Sequence, residues 1–381
     1  MKYENKVLLI NILKKPIVST LIAIFIGFLV AGTIIGILGY NPGSALNSLV
    51  TGIFSRPKYI FKVIEKSTPM IFSGISVVFA FKAGLFNIGV EGQYVLGSIA
   101  STVVGILFNF HPIIQIPLVI LSGVLASAVL SSITGFLKAK FGVHEVISGI
   151  MFNWICLYLC NFVVNFPLFH KVSTSKTYSI NKSGFITLLY EWKKSKEGIE
   201  FLRGNSFLSD ILLKTDLNVS FLIAILVAIT VWFILYKTTL GFGIRAVGHS
   251  PKAAELAGID VKRNVIKTMG ISGAICGLAA ALNITGVSPH GLYLLNMFEN
   301  IGFNGISVAL IGAGSPIGCI FSGLFFGGLI YGGNNVQSDL GIPSEIIGIT
   351  MGAILLSIAL TKFIPSVVKK FIFKIKESED E

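Results

Sequence analysis

Charge is scarce in this sequence: of 381 residues only 13% are Asp, Glu, Lys or Arg, where an ordinary soluble domain carries about a quarter. That leaves too little polar surface to coat a water-soluble globule of this length. Cysteine is scarce too. Cys156, Cys160, Cys276 and Cys319 lie in apolar runs away from any His or carboxylate cluster, so they read as small core residues and neither as metal ligands nor as a disulfide framework. No Gly is followed by Lys, which excludes a phosphate-binding loop and ATP hydrolysis by this polypeptide. His144-Glu145 is followed by Ser148 where a zinc-protease helix needs His, and no GxSxG elbow is present. The paired intramembrane acids and bases of a proton- or sodium-driven carrier are missing as well. The reading is therefore no catalytic residue, no metal site and no cofactor in this chain.

What is present is apolar: 53% hydrophobic residues, 41 glycines and a mean hydropathy of +0.82. A bilayer core takes about 20 apolar residues per helix. The sequence predicts an all-α integral membrane protein of about ten transmembrane or half-membrane helices, at 17–39, 67–82, 87–108, 113–137, 146–168, 220–236, 264–284, 301–314, 316–333 and 345–362. The run at 17–39 exceeds the roughly 7 to 15 residues of a cleavable signal, so it reads as a retained helix. Segment 301–314 is short and glycine-rich, which keeps open a half-helix that dips and returns, with eight full spans beside it. The formal charge of +12 falls between apolar runs and not on one face, so it marks lipid headgroups and cytoplasmic loops and not nucleic acid.

Domain organisation follows as a cytoplasmic start at 1–15, a membrane domain over 16–362 and a cytoplasmic tail at 363–381, with both termini inside. The tail interleaves Lys369, Lys370 and Lys374 with Phe371, Ile372 and Phe373, the pattern of an interfacial helix on anionic lipid. Two polar insertions interrupt the spans. Alternation places 169–219 outside although it is rich in lysine, and 237–263 inside.

Two constellations carry chemistry. In Gly84-Leu85-Phe86-Asn87-Ile88-Gly89-Val90-Glu91-Gly92-Gln93 the polar side chains Asn87, Glu91 and Gln93 stand in an apolar context. Such groups must be paired or face water, either as a clamp between helices or as the lining of a passage. Phe303-Asn304 between glycines echoes this segment, and ten spans divided into two fives would make the halves inverted. The second constellation runs from Thr239 to Asp260. Ser250 is a helix cap, Pro251 a first helical residue and Gly258 a stop. A helix that short is unstable alone and must dock, on a partner or on its own membrane domain.

The segment 84–93, the stretch Ala-Val-Gly-X-X-Pro-X-Ala-Ala-Glu-X-Ala-Gly-Ile at 246–259, and His144-Glu145-Val146-Ile147 with Asn153-Trp154 resemble the permease subunits of bacterial ABC importers. The match is nearest to the nucleoside branch of the group that includes simple-sugar and branched-chain amino-acid permeases. The resemblance implies a multi-pass protein of the bacterial cytoplasmic membrane, working with a second, similar permease, an ATPase that uses ATP and Mg, and an extracytoplasmic substrate-binding lipoprotein. Pro251, Ala254, Glu255 and Gly258 would then couple to the ATPase, and Asn87, Glu91, Gln93, Asn153 and Asn304 would line a substrate passage. A sugar importer and a channel without ATPase are the alternatives.

Overall fold

The computed structural model describes residues 16–360. The basic start at 1–15 and the tail at 363–381 lie outside the described residues. All regular structure in the described part is helical apart from three isolated bridges. The chain divides into two compact units, one of residues up to Ser55 together with those from Leu329 on, the other Arg56–Gly328.

The first unit holds α1 (Pro16–Ile37), α2 (Pro42–Phe54), the second half of α14 (Gly318–Leu340) and α15 (Ser344–Ala359). α2 is absent from the sequence reading because its 13 residues are too few and too polar to register as a span. It is nonetheless well started: Asn41 Oδ1 accepts the Gly43 and Ser44 amides at 2.8 and 3.2 Å, and Pro42 supplies a preset φ. α1 and α15 pack closely at Gly27, where a Cβ would come 2.8 Å from Ile354 Cα. These helices enclose an apolar cleft of about 750 Å³ lined by Phe28, Ile35, Leu49, Val336 and Ile347.

The second unit carries the six helices long and apolar enough to cross a membrane: α3 (Pro57–Phe81), α4 (Val90–Leu107), α5 (Pro112–Phe141), α6 (Glu145–Asn165), α9 (Ser220–Lys237) and α12 (Val261–Gly286). α3 starts ten residues before the expected 67 and runs through Lys58, Lys62, Glu65 and Lys66. Lys62 and Glu65 neutralise each other at 2.8 Å, which lets the charged turns continue the helix. α4, α5 and α12 are held by small residues: a Cβ on Gly97 would lie 2.9 Å from Ala280 Cβ and 3.1 Å from Gly277 Cα. Close backbone approach of this kind is how helices associate where lipid removes the hydrophobic drive. α13 (Ile301–Ile311) has 11 residues, about 16 Å of helix, and crosses only half a bilayer. The helix within 301–314 is shorter than a full span.

One end of this unit gathers the turn 82–86, the α5–α6 turn and the helices α10 (Thr239–His249) and α11 (Pro251–Leu256). The opposite end gathers 169–219 and 287–300. The 169–219 insertion includes α7 (Lys196–Arg203) and α8 (Ser206–Leu208), and it is strapped along 289–295 by Thr177 N to Leu292 O at 2.9 Å, Ile180 N to His290 O at 2.8 Å and Leu294 N to Ser175 O at 2.9 Å. Three of its lysines pair within the insertion. Lys214 pairs with Asp210 at 2.6 Å, Lys182 with Glu191 at 3.2 Å, and the buried Lys193 donates to Thr215 O at 3.1 Å. This basic insertion lies at the end of the unit opposite α10 and α11.

Candidate functional site

Two stretches of non-helical backbone penetrate the second unit from opposite ends: 82–89 from the α10 end and 287–300 from the other. Irregular backbone inside a membrane needs side-chain partners for every amide and carbonyl, and the sequence provides them at fixed places. Glu145 Oε1 accepts the Phe86 amide at 3.2 Å, while its other oxygen pairs with Lys138 at 2.5 Å. Asn153 takes the Gly92 amide on Oδ1 at 2.7 Å and donates to Ile88 O at 3.1 Å. Asn161 does the same for the far segment, bonding both the amide and the carbonyl of Leu295 at 2.8 and 2.9 Å.

Between them lies an amide ladder. Asn87 Nδ2 donates to Gln93 Oε1 at 3.0 Å and Gln93 Nε2 returns to Asn87 Oδ1 at 2.9 Å. Asn87 also reaches Ser272 Oγ at 2.9 Å, and Ser272 is cross-bonded to Ser76 on α3. The ladder ties the end of α3 and the start of α4 to the middle of α12.

Glu91 is completely buried, and its carboxylate accepts Asn300 N at 2.9 Å, Gly302 N at 2.6 Å and Phe303 N at 3.2 Å. These are the orphan donors at the start of α13, so Glu91 caps a half-helix and offsets its positive dipole end. Gly302 makes the approach possible: a Cβ there would meet the Glu91 backbone at 2.5 Å. Gly305 is equally tight against Ser73 of α3.

Of the five residues expected to line a passage, Asn87, Glu91, Gln93 and Asn153 come together here, each buried with its polar atoms bonded to this chain's own groups. Their geometry is that of a clamp. Asn304 sits one turn into α13, half-buried, and is not part of that network. Glu145 and Ser272 are essential members that the sequence reading left out. Glu145 was visible as a carboxylate at a helix start, but Ser272 carries no signal of its own.

At the far end of the turn, Gly84 packs on Gly248 of α10, where a Cβ would lie 3.4 Å from Gly248 O. α11 follows at once, capped by Ser250 Oγ toward Ala253 N and stopped by Gly258 at φ +81°. Pro251, Glu255 and Gly258 are exposed, whereas Ala254 is 4% exposed and anchors α11 to its own unit. Leu256, absent from the sequence reading, is 91% exposed. A capped short helix thus presents an apolar side chain among charged ones, on a base joined through Gly248 to the turn that bears the clamp.

Comparison with known proteins gives this arrangement its context. The family described as the permease component of the branched-chain amino acid transport system matches residues 59–359. The chain belongs to that family. This permease is 35% identical over 350 residues to the guanosine ABC transporter permease protein NupP of Bacillus subtilis (strain 168), covering 92% of this chain and 95% of NupP. It is 35% identical over 377 residues to the nucleoside ABC transporter permease protein NupB of Lactococcus lactis subsp. cremoris (strain MG1363), with 96% of each covered. It is 26% identical over 349 residues to the glucose ABC transporter permease protein TsgB13 of Haloferax volcanii, covering 91% of this permease and 87% of that protein. No solved structure matches the chain.

Proposed function

We propose that this permease is the membrane-spanning subunit of an ATP-driven ABC importer that moves nucleosides across the bacterial cytoplasmic membrane. The observation that carries the reading is 35% identity along nearly the whole chain to permeases named for guanosine and for nucleosides. Its partners are a second, similar permease, an ATPase that supplies ATP and Mg chemistry, and an extracytoplasmic substrate-binding lipoprotein. α11 and the α10 end face the cytoplasm, both termini lie on that side, and the strapped 169–219 insertion faces the lipoprotein.

The geometry supports a mechanism. The ATPase grips α11 through Pro251, Glu255 and Gly258, with Leu256 as the apolar contact and Ala254 holding the helix to the membrane domain. Motion of α11 is carried through α10 by the Gly248–Gly84 contact to the turn 82–89. That turn is bonded at Asn87 to Gln93 and Ser272, and the helix it starts carries Glu91 under α13. The clamp therefore links the cytoplasmic docking helix to the short helix α13. Half-burial leaves the Asn304 amide free of the clamp and able to meet cargo.

The deciding measurement is uptake of labelled guanosine and uridine by cells with and without this chain, with unlabelled ribose as competitor. Loss on deletion, with competition by nucleoside but not by ribose, is expected. The relationship to a glucose permease supports a sugar importer as the second reading, and ribose or glucose uptake lost on deletion with nucleoside uptake intact would establish it.

A further inference from the structure

The exposed face of α6 combines aliphatic residues, Ile147, Met151 and Ile155, with an aromatic pair at mid-helix. α5 exposes Leu121, Leu125 and Val129, and α9 exposes Leu222, Leu226 and Ile229, the aliphatic stripes that suit lipid tails. α6 exposes Trp154 (47%) and Tyr158 (64%) one turn apart, with rings stacked at 6.0 Å. Trp154 follows Asn153, so it stands at the depth of the clamp, while membrane tryptophans and tyrosines otherwise gather at the two interfaces.

Phe298, from the segment that Asn161 pins to α6, meets Trp154 edge-on at 4.9 Å and Phe303 at 5.6 Å. Polar groups border these rings. The Tyr293 hydroxyl faces the Glu299 carboxyl, and the neighbouring Tyr94 hydroxyl is buried without a hydrogen-bond partner. Lipid against this face would leave the Tyr158 hydroxyl unsatisfied, which hydrocarbon penalises. A flat ring bearing hydroxylated substituents suits the face better: aromatic faces accept any heteroaromatic base, and carboxyl and phenol groups accept and donate to sugar hydroxyls.

We propose that Trp154, Tyr158 and Phe298 form a stacking platform for the heteroaromatic base of the cargo, with Tyr293 and Glu299 beside it for the sugar. The proposal rests on the nucleoside reading and names the residues that would select the base. It also explains why the amides of the clamp, saturated by internal bonds, need not touch cargo.

The test uses the assembled transporter in proteoliposomes with guanosine, uridine and ribose as probes. Trp154→Leu keeps an apolar surface and removes the ring. It is expected to raise KM for guanosine about tenfold, the size of one lost base-stacking contact, with a smaller rise for the smaller ring of uridine. kcat and recovery of the second permease on purification should be unchanged, and Trp154→Phe should restore most of the loss. An unchanged KM in Trp154→Leu overturns the platform while nucleoside import stands. Loss of the second permease from the preparation overturns it too, and makes this face the seam between permeases. A wild-type transporter that carries ribose and neither nucleoside refutes the nucleoside reading, and the platform with it.

Discussion

Asn87 and Gln93 satisfy each other within a buried site, so the cost of removing one falls chiefly on the other. Asn87→Leu leaves the Gln93 amide buried without its partner and should cost about 1–3 kcal/mol, as should Gln93→Met. The double variant should be less destabilised than the sum of the two by about 1 kcal/mol or more, because no orphan is left between them. Thermal unfolding of the purified chain in detergent measures this, and strict additivity would show that the ladder contributes nothing as a pair. Glu91 is a harsher case. Glu91→Ala strands three amides and should cost more than about 3 kcal/mol, whereas Glu91→Gln keeps one acceptor and should cost roughly half as much. Equal melting of the two variants would mean that the α13 cap is not what Glu91 does. Gly302→Ala should match Glu91→Ala, since its Cβ enters the Glu91 backbone.

At the scale of elements, two helices make separate predictions. α11 is held by Ala254 and by the φ of +81° at Gly258, so Gly258→Val strains its stop while Glu255→Ala changes only its exposed face. Both should lower nucleoside uptake several-fold with the second permease still bound, and ATPase activity should persist without matching transport. Normal uptake in both would remove the coupling role. The strap at the other end should respond to acid. His290 is stacked on Phe185 at 3.8 Å and buried, and that burial, opposed by its hydrogen bond to the Ile284 carbonyl and by Asp216 and aided by Lys194 and Lys193, holds its pKa below the ordinary value. The unfolded strap then binds the proton more readily. The stability it lends is complete above about pH 6.5 and declines as pH falls through that value toward the lowered folded pKa. Hydrogen exchange at the Thr177 and Ile180 amides should quicken on acidification after correction for intrinsic rates, and His290→Phe should abolish the difference.

These elements also show what the sequence made legible. Ten apolar segments stand out because bilayer thickness fixes their length, and each appears as a helix, α13 in its half-length form. α2 escaped because half-length polar helices give no such signal. The clamp was legible as residue types in the wrong solvent, yet its saturation was not: Asn87 finds Ser272 185 positions away and Glu91 finds Gly302 211 away. Local pattern cannot show whether a buried amide is already spoken for by a residue so distant.

At the scale of the whole molecule, the cap on α13 bears on which cargo is accepted. The positive end of α13, the feature that elsewhere receives anionic cargo in broken-helix transporters, is occupied by Glu91. Guanosine 5′-monophosphate should therefore fail to compete with guanosine in proteoliposomes at concentrations where unlabelled guanosine competes fully. Comparable competition by the two would show that the phosphate finds a positive site which the α13 cap does not supply.

The shortness of α13 bears also on how the protein is made. Among the described residues, every helix long and apolar enough to enter a bilayer unaided has emerged from the ribosome by Gly286. α13 has no such independence, and its first amides must find a carboxylate synthesised more than two hundred residues earlier. A nascent chain halted after α12 therefore holds Glu91 but none of the three amides it accepts. Closure of the Glu91 cap is a late step in assembly, one that waits for α13 however early the helices around Glu91 are made.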